Sequence, residues 1–196
     1  MVKSTLLTIF LISTFSYAQE LGGLDANAPN TLRIDPRVSF SATISPGKML
    51  SNGLQTVYVN GFLEVHESPK YSFRGDIYQL ASYSNNANSF LNPTFLNRLT
   101  FGMVKNFQIN NIRFFGGLQG GITSCQYLYD MIDGPYRWSL SPTFSVKIGA
   151  KLLVWKYAHF FIESSYFHNY INNTSFGRLN LNEFLVSGGL GFQISK

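Results

Sequence analysis

Enzyme chemistry usually rests on a histidine, a cysteine or paired carboxylates, and this chain has three histidines and one cysteine. A serine nucleophile needs a histidine to take its proton and an acid to orient that histidine. Glu163, Ser165 and His168 are the nearest approach to such a set, and residues of these types equally serve to fill an interior. Cys125 stands alone, which excludes an intrachain disulfide and a CxxC redox or metal motif. No cluster of histidines and carboxylates has ligand spacing. The glycines of "FFGGLQGG" and "SGGLGF" lie inside extended runs rather than ahead of a helix, so they form no phosphate loop. No metal or cofactor is expected.

The elements that would carry these residues are read from hydropathy. In the closing stretch "EFLVSGGLGFQISK", Phe184, Val186, Gly188, Leu190, Phe192 and Ile194 fall on one face of a strand. Seven further runs alternate in the same way, so that the eight span 32–44, 54–66, 71–83, 95–107, 111–123, 138–152, 157–168 and 180–195. Each is long enough to cross a bilayer as a tilted strand of about 9–11 residues. The connections after runs two, four and six are short, around Ser68-Pro69-Lys70, Gln108-Ile109-Asn110 and Val154-Trp155-Lys156, and the others are longer. Bacterial outer-membrane barrels sort their loops in this way, with short periplasmic turns and longer outer loops.

Composition agrees with that reading. Sixteen per cent aromatic and 13% charged residues point to β structure or a membrane. The formal charge is +5, but the 15 Lys and Arg are scattered singly with no basic run, which excludes a nucleic-acid surface. At the start of the chain, Lys3, the apolar stretch 6–15 and Ser16-Tyr17-Ala18 have the order of a secretory signal peptide. The expected organisation is a signal peptide over 1–18, a periplasmic lead-in over 19–31 and a barrel over 32–196.

The two faces of the runs differ. One is apolar, with Val57, Val59, Leu63 and Val65, then Phe114, Leu118 and Ile122, then Phe144, Val146, Ile148 and Leu152. The other carries Arg37, Glu64, Arg74, Asp76, Arg98, Arg113, Lys147, Lys151 and Glu163 among Tyr58, Phe62, Phe115 and Phe161. Bulky aromatics interleaved with charges of both signs suit a narrow lumen better than a solvated surface. A three-residue turn at 68–70 sets Glu64 opposite Arg74 with Asp76 one diagonal step away, so an ion cluster is expected there; a register slip of two would part it. If lipid covers the apolar face, every backbone group must pair within the protein, and strand eight must meet strand one. Tyr71, Phe73, Phe107, Trp155 and Tyr157 at one end, and Tyr83, Trp138, Tyr166 and Tyr170 at the other, fit interfacial girdles. The expectation is an all-β, eight-stranded antiparallel up-and-down transmembrane β-barrel.

With these residues in place, "SVKIGAKLLVWKYAHFFIESSYFHNY" and "SGGLGFQI" resemble the last three strands of the small outer-membrane β-barrel superfamily, the OmpA-like and OmpX-like eight-stranded type, and especially the short barrels of Bacteroidota envelopes. The resemblance covers 32–196. It implies location in the outer membrane of a Gram-negative bacterium. Its implied partners are outer-membrane lipid and lipopolysaccharide, the barrel-assembly machinery during insertion, and an envelope protein. Gly191, Phe192 and Ile194 resemble the terminal assembly signal of that family, although the chain ends in Lys196 rather than an aromatic. No peptidoglycan-binding domain is expected after strand eight.

Function is then expected at the surface, because an eight-stranded barrel is only wide enough for its own side chains. The stretch "SCQYLYDMIDGPYRW" gathers Tyr127, Tyr129, Met131, Ile132, Tyr136, Arg137 and Trp138 at the outer end. That cluster is either a contact site or a cap over the barrel mouth and headgroup layer. A structural or surface-interaction role is therefore expected. The alternatives are a lipid A deacylase or acyltransferase and an accessory component of a secretion or assembly complex. The enzyme reading is the weaker: His66 and His159 fall at periplasmic strand ends, and His168 is followed by Asn169-Tyr170 rather than the His-x-Ser of deacylases.

Overall fold

A computed structural model describes residues 36–51, 53–84, 93–128, 136–173 and 177–195. The expected signal peptide and lead-in lie outside these residues. Among the described residues nine strands run in chain order: β1 (Pro36–Met49), β2 (Gln55–His66), β3 (Tyr71–Tyr83), β4 (Pro93–Ile109), β5 (Ile112–Leu128), β6 (Tyr136–Trp155), β7 (Ala158–Asn173), β8 (Gly177–Asn180) and β9 (Glu183–Ser195). Consecutive strands pair antiparallel except β8 with β9; β7 pairs with β9, and β9 returns to β1. The sheet therefore closes into an eight-stave barrel. The short β8 lengthens the last stave and pairs with β7 alone.

Alternation decides which way each side chain points. The outside is a band of Ile44, Val59, Leu63, Val65, Phe73, Ile77, Leu99, Phe101, Leu118, Ile122, Ile148, Ile162, Leu190 and Phe192, all exposed, with Phe101 at 69% and Ile44 at 64%. The inside is buried and holds the charged and polar side chains, with aromatic and aliphatic ones among them. This is the reverse of a water-soluble barrel.

Three turns close one end. Residues 67–70 join β2 to β3, where the amides of Glu67 and Ser68 both donate to the carbonyl of Tyr71 at 3.1 Å. Asn110-Asn111 joins β4 to β5, with Asn110 at φ 51°, a left-handed conformation that asparagine tolerates. Lys156-Tyr157 joins β6 to β7.

The boundaries depart from the sequence reading at the other end. β1 runs on past the expected end at 44, through Pro46-Gly47, so that the first loop shrinks to 50–54. Continued alternation is the reason: Ser45 and Met49 are buried while Pro46 and Lys48 are exposed. β5 and β6 stay paired as far as Leu128 opposite Tyr136, which converts part of the aromatic loop into strand. The eighth run is broken at Leu181-Asn182, where Asn182 caps the neighbouring stave by accepting from the Asn169 amide at 2.9 Å.

The barrel interior as the candidate functional site

The lumen is filled in three layers. At the loop end, Met49, Leu54, Tyr58, Tyr78, Leu96, Cys125, Phe167, Ile171, Leu181 and Leu185 form a dry core. Cys125 is thus a packing residue with no partner for oxidation. Below it, Arg98 pairs with Glu183, which also accepts from Thr56 and from Tyr58 (2.8 Å). The Arg98 guanidinium lies over the Phe167 ring, 4.8 Å from its centroid.

The middle layer is a four-member ion cluster. Arg74 bridges Asp76 and Glu163, at 2.7 Å each, and Lys147 reaches Asp76 at 3.0 Å. Gln119 donates to Asp76 Oδ2 at 2.7 Å, an oxygen that also accepts from Arg74 Nε at 3.2 Å. Lys147 donates to the hydroxyl of Tyr78, which ties this layer to the dry core above. Arg74 also stacks on Phe62 at 3.8 Å, so the aromatics among the charges are the surfaces on which guanidinium groups lie.

Toward the turn end, Lys151 pairs with Glu64, which accepts from Ser72 at 2.6 Å and lies 3.6 Å from His66. Arg113 donates to Gln108 at 2.8 Å. His159 is fully buried against the Gly191 backbone. An added Cβ at Gly191 would sit 2.3 Å from its Nε2.

The eight charged residues expected inside, Glu64, Arg74, Asp76, Arg98, Arg113, Lys147, Lys151 and Glu163, are all buried. Of the expected cluster, Arg74 and Asp76 do pair, but Glu64 does not join them. Glu64 does face Arg74 across β2 and β3, yet it binds Lys151 from the opposite wall while Arg74 turns to Asp76 and Glu163. In a lumen this narrow, side chains reach across the barrel as readily as to the adjacent strand. Arg37 is exposed instead of internal, because it sits at the rim beside the bulge between Pro36 and Val38. Glu183 was missed, though the outward reading of Phe184 already implied that its neighbour faces inward. Among the described residues the interior thus holds five basic side chains and four carboxyl groups, once Glu183 is counted.

The possible catalytic set does not assemble. Glu163 and Ser165 are buried in the lumen, whereas His168 is exposed on the outer face and packs edge-on against Tyr170. Among the described residues no group of three His, Cys, Asp or Glu side chains could hold a metal. Of the loop residues singled out, Tyr129, Met131 and Ile132 lie outside the described residues, and Tyr127, Tyr136 and Arg137 are described by backbone alone. Trp138 is exposed and packs against Phe95 from β4, ring centroids 4.9 Å apart. At the other end of the outer face, Phe192 of β9 stacks on Phe40 of β1 and Ile194 is exposed beyond it, while Gly191 faces inward.

No family model and no curated protein sequence matches this chain. Solved structures do. Neisserial surface protein A superposes with a TM-score of 0.60 at 13% identity, over 80% of this chain and 96% of that one. The outer membrane protein OprG of Pseudomonas aeruginosa gives 0.56 at 10% identity, over 83% and 98%. The N-terminal β-barrel domain of OprF from the same organism gives 0.51 at 8% identity, over 81% and 98%. The chain therefore has the fold of the small eight-stranded outer-membrane β-barrels. At these identities the likeness is one of architecture.

Proposed function

We propose that this protein is an integral outer-membrane β-barrel of a Gram-negative bacterium, with a side-chain-filled lumen and a structural or surface-interaction role. One observation carries the reading: a continuous outer band of large apolar side chains surrounds an interior that holds the charges. An apolar surface of this extent has no stable place in water, and a closed sheet satisfies its own backbone, as hydrocarbon demands. Fold likeness to outer-membrane proteins supports the same location. The dry core at the loop end and the ion layers beneath it argue against a diffusion pore.

The partners that follow are outer-membrane lipid and lipopolysaccharide around the band, and the barrel-assembly machinery acting on the last strand through Gly191, Phe192 and Ile194. An envelope protein would meet the loop end, where the exposed Trp138 packs on the half-buried Phe95. The test is fractionation followed by semi-native gel electrophoresis, boiled against unboiled. Outer-membrane protein with a heat-dependent shift is expected. Soluble periplasmic protein with unchanged mobility would overturn the reading.

A further inference from the structure

One charged side chain stands on the lipid side of the wall, inside the apolar band. On β4 the outward positions run Phe101, Met103, Lys105, Phe107 and Ile109; Phe101, Met103 and Ile109 are exposed, and Lys105 and Phe107 are half-buried. Lys105 therefore interrupts an apolar stripe that continues on both sides of it. Among the described residues no other charged side chain is flanked in this way within its own strand: Arg37 and Lys48 lie at the two ends of β1, and Glu67, Lys70 and Lys156 lie in turns. Facing hydrocarbon is costly for a cation, less so toward the interface, and Lys105 sits four residues before Ile109, where β4 ends.

The neighbours of Lys105 suit an anion. Across the ladder it faces Tyr71 of β3 on one side and Gly116 of β5 on the other. Tyr71 is exposed and ends in a hydroxyl, and Gly116 has no side chain to cover the lysine. The β2–β3 turn is held against the same stretch, because the Asn106 amide donates to the Lys70 carbonyl at 2.7 Å. Lys70 is exposed and immediately precedes Tyr71, so a second cation stands beside the first. Glu67, the carboxylate of that turn, forms no ion pair with Lys70 among the described residues. A lysine set in an apolar band lays its stem along its neighbours and brings its ammonium to the depth of the headgroups.

We propose that Lys105, Lys70 and Tyr71 form a headgroup site for an anionic phospholipid of the periplasmic leaflet, with the phosphate held by the two ammonium groups and the acyl chains lying along Phe73, Phe101 and Met103. The inference rests on the barrel spanning the outer membrane with its short turns in the periplasm. Position selects the leaflet, because the patch lies at the turn end of the band, away from the face that meets lipopolysaccharide. Charge selects the lipid. Two lysines beside one phosphate leave a positive excess, which a zwitterionic headgroup increases with its own ammonium and an anionic one does not.

The test is native mass spectrometry of the folded barrel released from detergent micelles, titrated with phosphatidylglycerol or with phosphatidylcholine of the same acyl chains. Wild type should retain phosphatidylglycerol in preference to phosphatidylcholine, and K105Q and K70Q should each lower that retention roughly fivefold. K105R should keep most of it. K156Q removes the same charge from another turn and should bind as wild type does. Equal retention of the two lipids by wild type, or an equal loss in K156Q and K105Q, would overturn the site while leaving the barrel intact. Wild-type protein with no heat-shifted form would sink the membrane reading as well. K105Q takes a charge out of the band and should fold; if it does not, K70Q in its exposed turn decides the question by the same comparison.

Discussion

Glu183 shows what a single buried charge does in this lumen. It accepts from Arg98, Tyr58 and Thr56 at once, and its removal leaves a guanidinium in the dry upper layer without its counter-ion. E183A is expected to cost about 3–5 kcal/mol, read by urea unfolding in lipid vesicles. The double variant R98M/E183L should recover most of that loss, because an apolar pair leaves no charge stranded. His159 is the opposite case. Neither ring nitrogen has a hydrogen-bond partner in its buried position. H159L therefore breaks no hydrogen bond, and stability within about 1 kcal/mol of wild type is expected in the same assay.

Among the elements, the β4–β5 hairpin depends most on the absence of side chains. A Cβ at Gly121 would meet the Leu99 carbonyl oxygen at 2.0 Å, and one at Gly102 would meet that of Leu118 at 2.1 Å. Both contacts are with backbone, which cannot swing aside. These strands coil so tightly that glycine is required on the inner face at both places. G121A should lose about 1–3 kcal/mol or fail to give the heat-shifted form, whereas G120A, where an added Cβ meets nothing within 4 Å, should fold normally. Comparison of the two on a semi-native gel separates close approach from strand propensity. The ion layers sit between such walls, since small residues on one stave leave room for arginine and lysine from another.

For the whole molecule, the decisive property is which solvent faces the apolar band. Ile148 lies midway along β6 and is half exposed. In lipid, I148R at that depth should cost about 2–4 kcal/mol, measured as unfolding from vesicles. The same change at an exposed position of a water-soluble barrel would be nearly neutral or would improve solubility. The filled lumen makes a second expectation at this scale. Purified protein in planar bilayers should show no large, steady conductance of the diffusion-porin kind, because layers of paired side chains and a dry core lie across the path. A stable open channel of that size would overturn the account of the interior.

Alternation alone determined the class of fold, the identity of the outer face and most of the inner one, because the two-residue period of a strand links each residue's direction to its neighbour's. The third strand was legible to its ends, Tyr71–Tyr83, since a proline-containing turn and a polar loop bracket it. Glu183 was legible in principle, from Phe184 beside it. Only tertiary structure decided who pairs with whom. The partner of Glu64 is Lys151, 87 positions away and on another wall, and nothing in local spacing distinguishes it from Arg74 directly opposite. The extension of β1 through Pro46 was equally hidden: the proline stays in the strand because pairing with β2 is unbroken there and pairing with β9 resumes at Gly47. Closure belongs to the whole sheet because each strand's hydrogen bonds are satisfied only by its neighbours.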